Sequence, residues 1–154
     1  MTRSRFLLSL LLGSFLTISA TQYLWAKDFP KGSPKFFDRY KAALAEGTKS
    51  GKPVIVVFSA TWCGPCQAMK KDVYPSAAVQ PYHDKFVWAY LDVDDNSNDK
   101  AKKQYGVSGI PHIEIVDATG KSLAQQVGSS SPETFAKKLE DTLKAVPAAE
   151  PKKP

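Results

Sequence analysis

The residues best suited to chemistry in this chain are its two cysteines, Cys63 and Cys66, which are separated by Gly64 and Pro65. A pair this close closes too short a loop to contribute much to stability, because the entropic benefit of a disulfide grows with loop length. A disulfide-stabilised secreted scaffold would carry four, six or eight cysteines spread along the chain. The composition therefore favours redox or metal chemistry.

Other uses of the pair can be weighed from the neighbouring residues. A zinc site needs about four protein ligands, and the further candidates, His83 and His112, do not have zinc-finger spacing. Covalent haem attachment requires a histidine directly after the second cysteine, where this chain has Gln67. A purely structural disulfide stays open, although it would not account for the residues around the pair. We expect no metal and no cofactor beyond a redox-active disulfide.

The position of the pair suits an attacking thiolate. Residues 54–58 form a continuous run of β-branched and aromatic residues, which predicts a strand covered on both faces. The cysteines follow at once and open a helix predicted for residues 63–72. Unpaired N–H groups and the dipole at a helix N-terminus favour negative charge and lower the pKa of a thiol such as Cys63. Cys66 lies one turn later, where it could attack a mixed disulfide.

The residues flanking the cysteines support this interpretation. Gly64 and Pro65 keep the intervening turn tight, since proline is pre-set for the first helical turn. Trp62 would shield the site on one side and offer an apolar contact surface.

The elements that must position this site alternate along the chain, which predicts an α/β fold with a parallel core and one antiparallel hairpin. Ser33 and Pro34 have the residue types of a helix start, and Ser131 and Pro132 predict the start of the last helix. We expect one domain over residues 27–146, with a central mixed sheet of four to five strands flanked by helices. The other predicted elements are a helix at residues 99–105 and strands at residues 86–93, 112–116 and 121–127.

The N-terminus has the features of an export signal. Arg3 and Arg5 precede an apolar stretch over residues 6–20, so residues 1–26 are predicted to be a signal peptide, cleaved after Ala20 or, preferably, after Ala26. An uncleaved membrane anchor is the alternative. Export places the protein in the periplasm or another oxidising compartment, where thiols stay reduced only if something reduces them.

The charge and the C-terminal composition limit the partners. The net charge of +6 is modest, and no basic stripe with stacking aromatics is present, so we expect no nucleic-acid partner. Residues 147–154 contain only proline, alanine, glutamate and lysine and are predicted to be disordered. No dimerisation module is visible in residues 27–50, so we expect a monomer.

Residues 53–143 resemble the thioredoxin family in order and spacing. Residues 59–66 (Ser-Ala-Thr-Trp-Cys-Gly-Pro-Cys) are similar to its active-site segment, and residues 106–111 (Gly-Val-Ser-Gly-Ile-Pro) are similar to its cis-proline segment. The Gly-Lys-Pro at residues 51–53 is closer still to an exported subgroup. That subgroup is related to the C-terminal domain of the bacterial transmembrane thiol:disulfide reductase, DsbD. The resemblance implies a thioredoxin fold and a thiol–disulfide oxidoreductase.

The resemblance also assigns roles to individual residues. Pro111 is expected to be cis and to pack against the cysteine pair, and the backbone of Ile110 to pair with an extended substrate segment. The implied substrates are protein disulfides, and a membrane or periplasmic thiol donor would restore the dithiol. The Gly-Pro dipeptide resembles that of reducing thioredoxins and favours a reductase. A disulfide oxidase or isomerase and a non-catalytic thioredoxin-fold binding module remain the alternatives.

Two departures from the family pattern affect proton transfer. Thioredoxins bury an aspartate six residues before the first cysteine, paired with a lysine on the next strand, where this chain has Val57 and Tyr90. The usual base for the second cysteine is therefore absent. The family commonly has threonine at the position of His112. Alternation places His112 and Glu114 on one strand face, so the pair is a candidate for the missing proton transfer; a histidine with no catalytic role is the alternative.

Overall fold

The computed structural model describes residues 28–145, so the predicted signal peptide and C-terminal tail lie outside the described range. One mixed sheet has the strand order β1-β3-β2-β4-β5. The first three of these strands are parallel, β4 is antiparallel to β2, and β5 is antiparallel to β4. The strands are β1 (Phe36–Phe37), β2 (Val54–Ser59), β3 (Val87–Asp92), β4 (His112–Val116) and β5 (Ser122–Val127), and the helices are α1 (Tyr40–Ser50), α2 (Gly64–Ala68), α3 (Asp99–Gln104) and α4 (Pro132–Ala145). This is the mixed sheet that the sequence predicts.

The central strand, β2, is buried along its whole length. Val56 and Phe58 pack on one face of the sheet in a cluster that includes Ala43 of α1 and Ala101 of α3; we call this the α1–α3 face. Val57 packs on the other face in a cluster with residues of α4 and of the helical turn after α2; we call this the α2–α4 face. Because both faces are covered, β2 shows no polar alternation.

The N-terminal element differs from its prediction. Ser33 and Pro34 do not open a helix; α1 begins at Tyr40, and the preceding Phe36 and Phe37 form β1 beside β3. Successive residues of a strand point to opposite faces, so Phe36 enters the α2–α4 cluster and Phe37 the α1–α3 cluster. A helix would place adjacent side chains only about 100° apart and could not divide them between the two faces.

The remaining elements agree with the predicted ones to within one or two residues. The helix predicted for residues 63–72 is α2, continued by a π-helical turn over Met69–Val73. At the start of α4, the Ser131 hydroxyl accepts a hydrogen bond from the N–H of Thr134 at 3.2 Å. Within residues 28–145, no helix is long and apolar enough to cross a membrane.

Candidate active site

The two cysteines form a disulfide between the end of β2 and the first turn of α2, with their Cα atoms 5.2 Å apart. Cys63 is 5% exposed and Cys66 only 1% exposed. Ala60 completes a small buried cluster with them, against which Val93 and Ile110 pack. The first cysteine is therefore the more accessible of the two, which suits the order of attack expected from the sequence.

Cys63 occupies the N-cap position of α2. Its sulfur accepts a hydrogen bond from the N–H of Cys66 at 3.2 Å, and its carbonyl accepts one from the N–H of Gln67 at 3.0 Å. Pro65 lies in the first turn, where its missing N–H costs nothing. In the reduced protein, an N–H directed at the Cys63 sulfur favours the thiolate over the thiol. Gly64 and Pro65 are exposed and leave the site open to a partner.

Trp62 projects into solvent beside the disulfide and is 68% exposed. Its indole Nε1 donates a hydrogen bond to a carboxylate oxygen of Asp94 at 2.7 Å. The contact holds the ring in one orientation, so it presents a defined apolar surface. Nothing in the sequence pattern identified Asp94 as the partner, because 32 positions separate the two residues.

A groove of about 760 Å³ lies next to Trp62 and runs along the segment before β4. The Ile110–Pro111 peptide bond is cis. Pro111 is buried, and Ile110 is half-buried at the edge of the groove. Such a groove can receive an extended peptide beside the disulfide. Its lining includes Trp62, Val93, Lys102, Lys103, Val107 and Ile110.

The structure places Val57 directly opposite Tyr90 in the pairing of β2 with β3, as the alignment of the sequence expects. Val57 is 1% exposed and belongs to an apolar cluster, so it supplies no proton acceptor. The Tyr90 hydroxyl instead lies 2.5 Å from the hydroxyl of Ser59. Sequence reasoning missed Ser59. The available indication was a small polar residue at the end of an otherwise apolar strand.

His112 and Glu114 form the predicted pair, with His112 Nε2 3.1 Å from a carboxylate oxygen of Glu114 and both side chains 2% exposed. Glu114 also accepts hydrogen bonds from the Ser122 hydroxyl and from the Gln125 side-chain amide. The imidazole packs roughly perpendicular to the Phe58 ring, and Phe58 is paired with His112 across β2 and β4, which places the pair on the α1–α3 face. The helical turn that continues from α2 packs on the opposite face. The sheet therefore lies between the pair and that turn, and the proton-transfer role stays a prediction.

The chemistry available at this site comes from the two sulfurs and the groove beside them. Within residues 28–145, no group of three or more histidine, cysteine, aspartate or glutamate side chains is placed to hold a metal ion. The arrangement can exchange a disulfide with a peptide that lies along the groove.

Comparisons with known proteins agree with this geometry. The family described as a thioredoxin-like domain matches residues 40–143. The thiol:disulfide interchange protein TxlA homolog of Synechocystis sp. is 32% identical over 137 residues, which are 88% of this chain and 73% of that protein. The thiol:disulfide interchange protein DsbD of Pseudoalteromonas atlantica is 29% identical over 58% of this chain but only 16% of its own length. The solution structure of a thioredoxin from Thermus thermophilus superposes with a TM-score of 0.62 at 28% identity, covering 68% of this chain and 84% of that chain.

Proposed function

The chain belongs to the thioredoxin-like domain family, and we propose that it is an exported thiol–disulfide oxidoreductase that reduces protein disulfides through Cys63 and Cys66. The observation that carries the proposal is the disulfide at the start of α2. Cys66 is buried, whereas Gly64 and Pro65, between the two cysteines, are exposed to a partner. The match to the family covers both cysteines and Pro111. Relatives that are named for thiol:disulfide interchange support the same reaction.

The reaction takes two exchange steps. The Cys63 thiolate attacks one sulfur of a substrate disulfide, a mixed disulfide forms, and the other substrate sulfur leaves as a thiolate that takes a proton from solvent. Cys66 then loses its proton and attacks the Cys63 sulfur, which breaks the mixed disulfide and releases the second substrate thiolate. Two electrons pass from the dithiol to the substrate, and the Cys63–Cys66 disulfide remains.

The groove beside Trp62 supplies the contact with the substrate. An extended segment that lies along residues 106–110 would place its disulfide next to Cys63, with the backbone of Ile110 as a pairing partner. Ile110 packs against the cysteine cluster, so a segment paired with it lies close to the reacting sulfurs. Gly64 and Pro65 are exposed next to Cys63 and can contact the substrate, whereas the buried Pro111 directly follows Ile110.

The dipeptide between the cysteines supports electron flow from this protein to its substrates. Gly64-Pro65 resembles the dipeptide of reducing thioredoxins, which favours reduction of substrates. An oxidising compartment would return the pair to the disulfide, so a membrane or periplasmic thiol donor must supply electrons. The signal-like residues 1–26 support this location.

The equilibrium reduction potential of the Cys63–Cys66 pair, measured against a glutathione buffer, tests the direction. We expect a value near about −250 mV or below, as for thioredoxin. A value of roughly −120 to −180 mV is typical of oxidases and isomerases and would contradict a reductase.

A capture experiment tests whether the protein is an enzyme. Cys66→Ser leaves the attacking thiol and removes the resolving one, so we expect mixed disulfides with client proteins to accumulate through Cys63. The matched control, Cys63→Ser, keeps one cysteine but should capture nothing. Absence of capture by Cys66→Ser, with partners bound non-covalently by both variants, would instead identify a binding module.

A further inference from the structure

The last residue of β2 is polar although the strand is fully buried. Ser59 is 0% exposed, and its hydroxyl lies 2.5 Å from that of Tyr90 on β3. A buried hydroxyl without a partner would cost about 1–3 kcal/mol, so the two hydroxyls satisfy each other. This contact ties the end of β2 to β3, four residues before Cys63.

A third side chain, that of Gln67, links the surroundings of Tyr90 to those of the cysteines. Gln67 follows Cys66 directly, and its side-chain amide donates a hydrogen bond to the carbonyl of Ala60 at 2.8 Å. The same side chain lies close enough to the Tyr90 hydroxyl to lower its pKa. The Ala60 carbonyl also accepts the N–H of Cys63 at 3.3 Å, and Ala60 packs against both cysteines. Side chains from β2, β3 and α2 therefore converge on the peptide that supports the disulfide.

The cluster of Ser59, Tyr90 and Gln67 lies where the thioredoxin pattern has a buried aspartate paired with a lysine. Tyr90 pairs with Val57, and these are the two positions at which the thioredoxin pattern has lysine and aspartate. Ser59 lies two residues after Val57 and so points to the same face of the sheet. Burial raises the pKa of the Tyr90 hydroxyl above its usual value, although the hydrogen bond with Ser59 and the nearby Gln67 side chain oppose the rise. Tyr90 therefore stays neutral over the pH range in which thiols titrate.

We propose that Ser59, Tyr90 and Gln67 form a positioning network for Cys66, which takes the place of the buried base. This network holds the first turn of α2 during resolution of the mixed disulfide. The inference rests on the proposed dithiol chemistry and names the residues that serve its second step. The network exchanges no proton and no electron. It fixes the Ala60 peptide and Gln67, and thereby keeps Cys66 within reach of the Cys63 sulfur.

The charged groups near the network do not change this assignment. The Lys70 ammonium lies 5.8 Å from the centre of the Tyr90 ring and 4.4 Å from that of Phe29. Asp92, on the same strand as Tyr90, raises the pKa of its hydroxyl further. Both act on Tyr90 through space, since within residues 28–145 neither side chain is hydrogen-bonded to the side chain of Ser59, Tyr90 or Gln67.

A chromogenic aromatic disulfide separates the two exchange steps. The reduced protein releases one coloured thiolate when Cys63 attacks and a second when Cys66 resolves the mixed disulfide. We expect Tyr90→Phe to slow the second release about tenfold, the rate equivalent of one ordinary hydrogen bond, and to change the first less than twofold. Ser59→Ala should act in the same way, and the double variant should be no slower than the slower single variant.

Tyr74→Phe is the matched control. Tyr74 is fully buried, and its hydroxyl has no hydrogen-bond partner among residues 28–145, so both releases should keep their wild-type rates. The pH midpoint of the second release should be the same in Tyr90→Phe and in the wild type, since a positioning residue does not titrate. A shifted midpoint would show that Tyr90 takes part in proton transfer and would overturn the proposal, as would an unchanged second release.

The assay distinguishes failure of the network from failure of the proposed function. If the wild type releases both thiolates but Cys66→Ser captures no client protein, the proposed reduction of protein disulfides is contradicted. The network proposal is then still tested by the rate of the second release. If the wild type releases only the first thiolate, Cys66 does not resolve, and the network proposal is overturned. Unfolding midpoints of Tyr90→Phe and Ser59→Ala above the assay temperature ensure that the rates report folded protein.

Discussion

His112 Nε2 lies 3.1 Å from a carboxylate oxygen of Glu114 inside the protein, on the α1–α3 face of the sheet. Met69 and Val73, in the turn that continues from α2, pack on the opposite face. The pair lies at the start of β4, directly after Pro111, and Glu114 is hydrogen-bonded to Ser122 and Gln125 of β5. The geometry supports a structural role more than proton transfer to Cys66.

Replacement of His112 by threonine separates these roles. We expect His112→Thr to lower the free energy of unfolding by about 1–3 kcal/mol, because it removes one of the three hydrogen-bond partners of the buried Glu114 carboxyl group. The rate of disulfide exchange should change less than twofold. Urea denaturation and the chromogenic disulfide measure the two quantities. Glu114→Gln is the companion variant, and a tenfold loss of rate in both folded variants would establish proton transfer through the pair.

Replacement of Trp62 by alanine should affect substrates rather than stability. Because the ring is 68% exposed, we expect Trp62→Ala to change the free energy of unfolding by less than about 0.5 kcal/mol. The KM for a protein disulfide should rise several-fold, while the rate with a small disulfide stays the same. Asp94→Ala removes the acceptor of the orienting hydrogen bond and should have a smaller effect in the same direction. Equal losses with both substrates would show that Trp62 acts on the cysteines instead.

The turn between β4 and β5 gives a pH-dependent prediction. The Asp117 carboxylate accepts hydrogen bonds from the N–H and hydroxyl of Thr119 at 2.8 and 2.6 Å and from the N–H of Lys121 at 3.0 Å. Partial burial raises the pKa of Asp117, but these hydrogen bonds and the charge of Lys121 outweigh it, so the pKa is lowered. A lowered pKa means that the ionised form contributes stability that is present above the unfolded-state pKa and is lost as the pH falls through the folded-state pKa.

Asp117→Asn tests that contribution. We expect the variant to be about 1 kcal/mol less stable than the wild type at pH 6 to 7. The difference should shrink as the pH falls below the usual pKa of an aspartate, about 3.9. Denaturant titrations at several pH values measure it. A difference that stays constant down to pH 2 would mean that the carboxylate charge plays no part.

Introducing the aspartate of the family pattern should be costly in this chain. Val57 is 1% exposed among apolar neighbours, so burial would raise the pKa of an aspartate there. We expect Val57→Asp to lower the free energy of unfolding by about 2–4 kcal/mol at pH 7 and by less at pH 4, where the unfolded chain also binds the proton. Val57→Asn is the uncharged control. Its stability should not depend on pH in this way.

Local patterns in the sequence predicted much of this protein. The Cys-Gly-Pro-Cys spacing predicts the disulfide and its place at a helix start, because both depend on residues within one turn. The run at residues 54–58 predicts β2, since an apolar run without alternation is typical of a strand covered on both faces. The start of α4 follows from Ser131 and Pro132 in the same way.

Only the tertiary structure decided which distant residues contact one another around the cysteine pair. Ser59 and Tyr90 are 31 residues apart, and Trp62 and Asp94 are 32 apart. These partners meet because of strand register and loop placement, which periodicity does not encode. The short strand β1 also escaped prediction, because its two phenylalanines form a strand only where β3 offers them an edge. The amino-acid sequence by itself determined which atoms can react, since thiol chemistry is local. The surroundings that control how fast Cys66 reacts exist only once the strands are paired.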